Sequence, residues 1–115
     1  MSDIATLAET IDREIDAERE ALIALCGDLV AARSVNPPGR TAEVAAVVRR
    51  YLADHAVPAE LVAADEEAPN VVGQTTRQAS GRQVVFNAHM DTMEASDEAA
   101  WSVPIFTLSH QDGRL

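Results

Sequence analysis

The sequence predicts an α/β fold, and three observations carry that reading. Two stretches in the N-terminal half repeat their apolar residues at helical spacing. The pattern then shortens to the brief runs of strands, and the most apolar of these runs ends in polar residues able to do chemistry. The third observation bears on function, because open α/β sheets bind ligands beyond the carboxyl ends of their strands. A chain of 115 residues is long enough for one small domain.

The first helix is expected from Ile4 to about Ala32. Leu22, Leu25, Cys26, Leu29 and Val30 recur on one face, whereas the segment from Asp12 to Glu20 is mostly charged, with Ile11 and Ile15 as its few apolar anchors. Gly27 interrupts the helical interior at a cost of about 1 kcal/mol, which marks a close packing contact. Asn36-Pro37-Pro38-Gly39 forces an irregular connection. A second helix follows, with Thr41 as N-cap and Glu43 in the first turn. Its stripe is Val44, Val47, Val48, Tyr51, Leu52 and His55, and Pro58 prevents its continuation.

Strands are expected at Ala59 to Ala63, Asn70 to Thr76 and Gln83 to His89. Gln78 to Gly81 would supply the turn of a hairpin joining the last two. Val84-Val85-Phe86 is too apolar for a half-exposed edge and is assigned to a sheet interior. Asp112-Gly113 signals a final hairpin turn, with a return strand beginning at Arg114.

Composition removes several classes of function. The formal net charge of -10 repels nucleic-acid phosphates and anionic membrane surfaces alike, so neither is an expected partner. A single cysteine, Cys26, excludes an internal disulfide and a Cys-rich zinc site, and its apolar setting marks it as a core thiol. Met1 to Thr10 has neither the basic region nor the apolar stretch of a signal peptide, and no apolar run is long enough to span a bilayer. The expected location is cytoplasmic.

The chemistry concentrates in Asn87-Ala88-His89-Met90-Asp91-Thr92. In extended backbone, residues i and i+2 point to one side, so His89 and Asp91 can face one pocket. A ligating imidazole usually donates its second ring N–H to a carboxylate, and His-x-Asp can supply both parts. The tripeptide alone also fits a solvated loop. His55 reads as a helix C-terminal histidine, His110 as an exposed one, Trp101 as a packing residue under the loop after His89, and Arg49-Arg50 as a solvated helix face.

From about Ala21 to Leu115 the chain resembles the zinc-dependent peptidases and deacylases that include acetylornithine deacetylase, succinyl-diaminopimelate desuccinylase, aminoacylase and glutamate carboxypeptidase. Arg33 to Gly39 looks like the segment that follows that family's first helix. Thr41 to Leu52 looks like its next helix, and Asn70-Val71-Val72 like its next strand. Val84 to Thr92 is similar to its first metal motif, and Trp101 to Phe106 with Asp112 to Leu115 to its Trp-x-x-x-Pro-Phe and Asp-Gly segment. The order and spacing together make the resemblance specific.

The resemblance implies a zinc-aminopeptidase-like three-layer α/β/α catalytic domain, of which residues 1–115 form the N-terminal portion, without the lid or dimerisation domain. It implies a metal-dependent hydrolase of amide bonds in small N-acyl amino acids or peptides, using two zinc ions, with a homodimer as its assembly. His89 would ligate one zinc and Asp91 would orient it. Ala88 stands where the family usually has Gly, and Met93-Glu94 where it usually has Val-Pro; neither change touches the ligand. The family's bridging Asp, its Glu-Glu pair with the general base, a further acidic ligand and a late His all follow the equivalent of Leu115. Glu66-Glu67 precedes the first ligand and does not replace that pair. The chain alone is therefore expected to be an inactive fragment. A rival reading is a non-catalytic interaction domain that retains half of the hydrolase scaffold and offers an open sheet edge to a partner.

Overall fold

A computed structural model of the chain describes residues 2–75 and 83–115. The helix expected from Ile4 to Ala32 is two helices, α1 (Ser2–Ala17) and α2 (Arg19–Ala31). They part at Glu18, yet Glu18 N–H still donates to the Glu14 carbonyl at 3.1 Å, and Leu22 N–H to the Glu18 carbonyl at 2.9 Å. The expected anchors Ile11 and Ile15 are both exposed, as are Ile4 and Leu7 on the same helix. Leu25, Cys26, Leu29 and Val30 of α2 are half-buried, so Cys26 is less enclosed than a core thiol.

Packing centres on α3 (Ala42–Asp54), which touches α2 and the hairpin that follows it. On α3, Val44 and Ala45 are buried, with Val47, Val48, Tyr51 and Leu52 half-buried along the expected stripe. Thr41 stands at the N-cap, but its hydroxyl makes no capping bond. It reaches the Pro69 carbonyl at 3.4 Å, while the Glu67 carbonyl accepts from the N–H groups of Thr41 and Ala42 at 2.8 and 3.2 Å. The loop between the two strands of that hairpin thus satisfies donors that a helix start leaves free. At the far end, the His55 Nδ1 lies 2.8 Å from the Tyr51 carbonyl, as suits a C-terminal histidine. Arg50 is not merely solvated: it pairs with Asp28 of α2 at 3.2 Å, a contact worth little at such exposure.

The strands form two separate ladders. β2 (Ala59–Val62) and β3 (Asn70–Gly73) pair antiparallel, with Ala59 opposite Gly73 and Val62 opposite Asn70. β3 therefore takes its partner from the preceding strand and not from Gln83 to His89. A Cβ on Gly73 would lie 3.1 Å from Leu52 Cδ1, so the missing side chain is what lets the hairpin sit close to α3. β1 (Val35–Asn36) and β4 (Thr92–Met93) pair in parallel, Val35 opposite Thr92, with Thr92 N–H donating to the carbonyl of buried Ser34 at 3.0 Å. Between β1 and α3 the Asn36-Pro37 and Pro37-Pro38 peptides are cis, and Gly39 has φ +75°.

Residues 83–91 form no strand, and Val84, Val85 and Phe86 are 78%, 84% and 94% exposed, against the sheet-interior place expected for them. A buried strand needs ladder partners on both edges and cover on both faces, and the described residues provide neither. The expected turn at Gln78 to Gly81 lies outside the described residues. Trp101 is also exposed. In the same segment Phe106 is half-buried, and its ring lies 4.3 Å from the Arg33 guanidinium. Leu108 lies 3.8 Å from where a Cβ on Gly27 would stand, an ordinary van der Waals distance, so the close contact expected at that glycine is not found and a methyl would fit. Asp112 and Gly113, at φ 52° and 72°, make the expected tight turn, closed by the Gln111–Arg114 bridge.

The result is an α/β chain with little enclosed interior. Its radius of gyration is 17.5 Å, where a compact domain of this length has about 13 Å. Its accessible surface is 9819 Å², where a folded monomer of this mass exposes about 6,100 Å².

Candidate functional site

The β1–β4 pairing brings the Asn36 loop against the His89–Asp91 segment. Two residues of parallel ladder are a short element, but they place Asn36 beside the residue just before β4. The Asn36 Nδ2 donates to Asp91 Oδ2 at 2.8 Å. The other carboxylate oxygen, Oδ1, lies 3.2 Å from His89 Nδ1, and the Asp91 backbone carbonyl lies nearer still, at 2.8 Å from the same nitrogen.

That geometry bears on the tautomer. The carbonyl and the carboxylate are acceptors only, so their contacts call for an N–H at Nδ1, and a ring with its single proton there has its lone pair on Nε2. The His89 side chain is 85% exposed, which leaves that lone pair open to a ligand. His-x-Asp does put both groups on one side, as expected, but the backbone carbonyl of Asp91 makes the shorter contact and its carboxylate the longer one. The Asn36 amide is the main influence holding the Asp91 carboxyl below the ordinary aspartate range. Partial burial opposes it, while the residue's own backbone N–H and the neighbouring His89 add to the lowering.

The residues fit one metal ligand. An imidazole protonated on Nδ1, supported by a carboxylate and open at Nε2, is the arrangement a zinc-ligating histidine takes. A catalytic zinc normally takes three protein ligands, and among the described residues no group of three His, Cys, Asp or Glu side chains could hold a metal. The set is thus suited to one coordination position and does not complete a site. Beside it, Val35, Glu94, Ser96, Glu98 and Phe106 line a shallow groove that excludes both His89 and Asp91. No helix among the described residues is long and apolar enough to cross a membrane.

Asn36 was not legible as a site residue. Asn-Pro-Pro-Gly reads as a connection, and nothing in its spacing points to a carboxylate 55 positions away. His55 stays at the end of α3, and His110 is exposed near the C-terminal turn.

Fold and site together define an α/β chain that presents one oriented imidazole. No protein-family profile and no solved structure matches the chain. Among curated proteins it is similar to the N-formyl-4-amino-5-aminomethyl-2-methylpyrimidine deformylase of Halalkalibacterium halodurans, at 27% identity over 111 residues. The match takes in 94% of this chain, which spans about a quarter (26%) of that protein's length. A deformylase is a hydrolase acting on an amide bond, and the likeness is to that class.

Proposed function

We propose that this chain is the N-terminal part of the catalytic domain of a zinc-dependent hydrolase of amide bonds, in the layered α/β/α arrangement of the zinc aminopeptidases. The observation that carries the reading is the His89–Asp91 pair, with Nδ1 held at 2.8 Å by the Asp91 carbonyl and Nε2 left open. Similarity to a deformylase along 94% of the chain supports the hydrolase class independently.

In this reading His89 is a ligand through Nε2, and Asp91 holds the proton at Nδ1 and the ring in place. Zinc, when bound, supplies Lewis acidity that polarises a carbonyl and makes water a better nucleophile. The remaining ligands and the general base come from residues outside these 115. The substrate is a small N-acyl amine in the cytoplasm. N-acyl amino acids and N-formyl amines share the scissile bond between an acyl carbon and nitrogen, and that bond is the substrate feature proposed.

The test is the natural polypeptide, isolated with an antibody to this chain and weighed intact. A mass well above 12.3 kDa, with zinc-dependent release of formate or another acid from N-acyl amines that His89→Ala abolishes, is the expected result. A mass near 12.3 kDa with no zinc would overturn it. That outcome would favour a non-catalytic interaction module, for which the exposed Val84-Val85-Phe86 run is the specific support.

A further inference from the structure

We infer that Asn36 is a positioning residue for His89, acting through Asp91. The inference gives the proposed ligand its outer support, so its functional meaning rests on that reading, while its geometry stands without it.

Three observations converge. The Asn36 amide donates to Asp91 Oδ2 at 2.8 Å, which leaves Oδ1 turned toward His89 Nδ1 at 3.2 Å. A carboxylate bridging an amide and an imidazole has both oxygens engaged, so its plane is set from two sides. The donor is itself held. Gly39, at φ +75°, lies over the Asn36 amide so closely that a Cβ there would sit 3.2 Å from Cγ, 3.4 Å from Oδ1 and 3.5 Å from Nδ2. Gly39 N–H also donates to the Val35 carbonyl at 2.9 Å, which folds the loop back onto β1. Finally, the parallel register of Val35 with Thr92 and Asn36 with Met93 anchors the backbone on both sides of the contact. The amide is therefore a fixed donor on a fixed loop, and the carboxylate that faces His89 Nδ1 at 3.2 Å is oriented by a hydrogen bond that begins in the Asn-Pro-Pro-Gly connection. Such outer partners fix the tautomer of a ligating histidine and raise its basicity.

The experiment reads the His89 ring directly by nitrogen NMR on the isotope-labelled 115-residue chain, at a pH where the ring is neutral. The expected result is a predominant Nδ1–H tautomer. Asn36→Ala and Asn36→Leu, the latter keeping the shape without the donor, should each shift the tautomer ratio about fivefold toward Nε2–H, the weight of one net hydrogen bond. Gly39→Ala should move it the same way without touching Asp91. An unchanged ratio in these variants, with the β2–β3 hairpin resonances intact, would overturn the inference. If the variants fail to fold, the unmodified chain decides. A scalar coupling across the hydrogen bond from Asn36 Nδ2 to the Asp91 carboxyl carbon is expected, and its absence overturns the inference. Adding zinc chloride to the same samples separates the two readings. A His89 Nε2 resonance that ignores zinc counts against the ligand role, whatever the tautomer shows.

Discussion

Asn36 and Asp91 lie 55 positions apart in the chain and 2.8 Å apart in space, joined by a side-chain hydrogen bond. Through it a connecting loop that carries no chemistry of its own sets the carboxylate that faces His89.

That bond implies a pH response whose sign follows from its donor. Asp91 is held below the ordinary aspartate value, so its ionised form is favoured by folding. The contribution is present above the ordinary aspartate pKa of about 3.9 and is lost as pH falls through the lower folded value. A carbon-detected titration of the Asp91 carboxyl should show a midpoint below that ordinary value, and Asn36→Ala should raise it. A midpoint at or above the ordinary value in the unmodified chain would contradict the geometry.

Zinc should bind these 115 residues weakly and at one imidazole. Isothermal titration should give no tight stoichiometric site, and His89→Ala should remove the small binding that is seen. Incubation with N-formyl and N-acetyl amines should yield no acid above the zinc-only control. Turnover by the isolated chain would refute the need for ligands from elsewhere.

Gly27→Ala should stabilise the chain. A methyl there meets Leu108 at 3.8 Å, ordinary van der Waals contact, so the helix gains propensity without a clash. The expected gain is about 1 kcal/mol, read as a higher urea midpoint at unchanged slope. A lower midpoint would mean that Leu108 sits closer than the structure places it.

Phe86→Ser and Val85→Thr should leave folding stability within about 0.5 kcal/mol, because both side chains are exposed. The same changes should reduce self-association in sedimentation experiments, since a solvent-facing apolar run invites pairing with other chains. A large loss of stability would place these side chains in a core after all.

The helical stripe of α3, the strands at Ala59 and Asn70, the closing Asp112-Gly113 turn and the candidate pair His89 and Asp91 were all legible in the sequence. Each depends on neighbours only a few residues away, where periodicity, turn chemistry and the i, i+2 relation act. Tertiary structure decided what depended on distant partners. The first helix parts at Glu18, and α1 lies exposed along its length among the described residues. The run at Val84 to Phe86 has the composition of a buried strand but lies open, because burial is a property of the surroundings and the described residues do not cover it. The partner of Asp91 was likewise set by the pairing of β1 with β4, a contact between segments that share no local pattern. Local sequence thus specified which residues could do chemistry, and long-range pairing specified which of them hold one another in place.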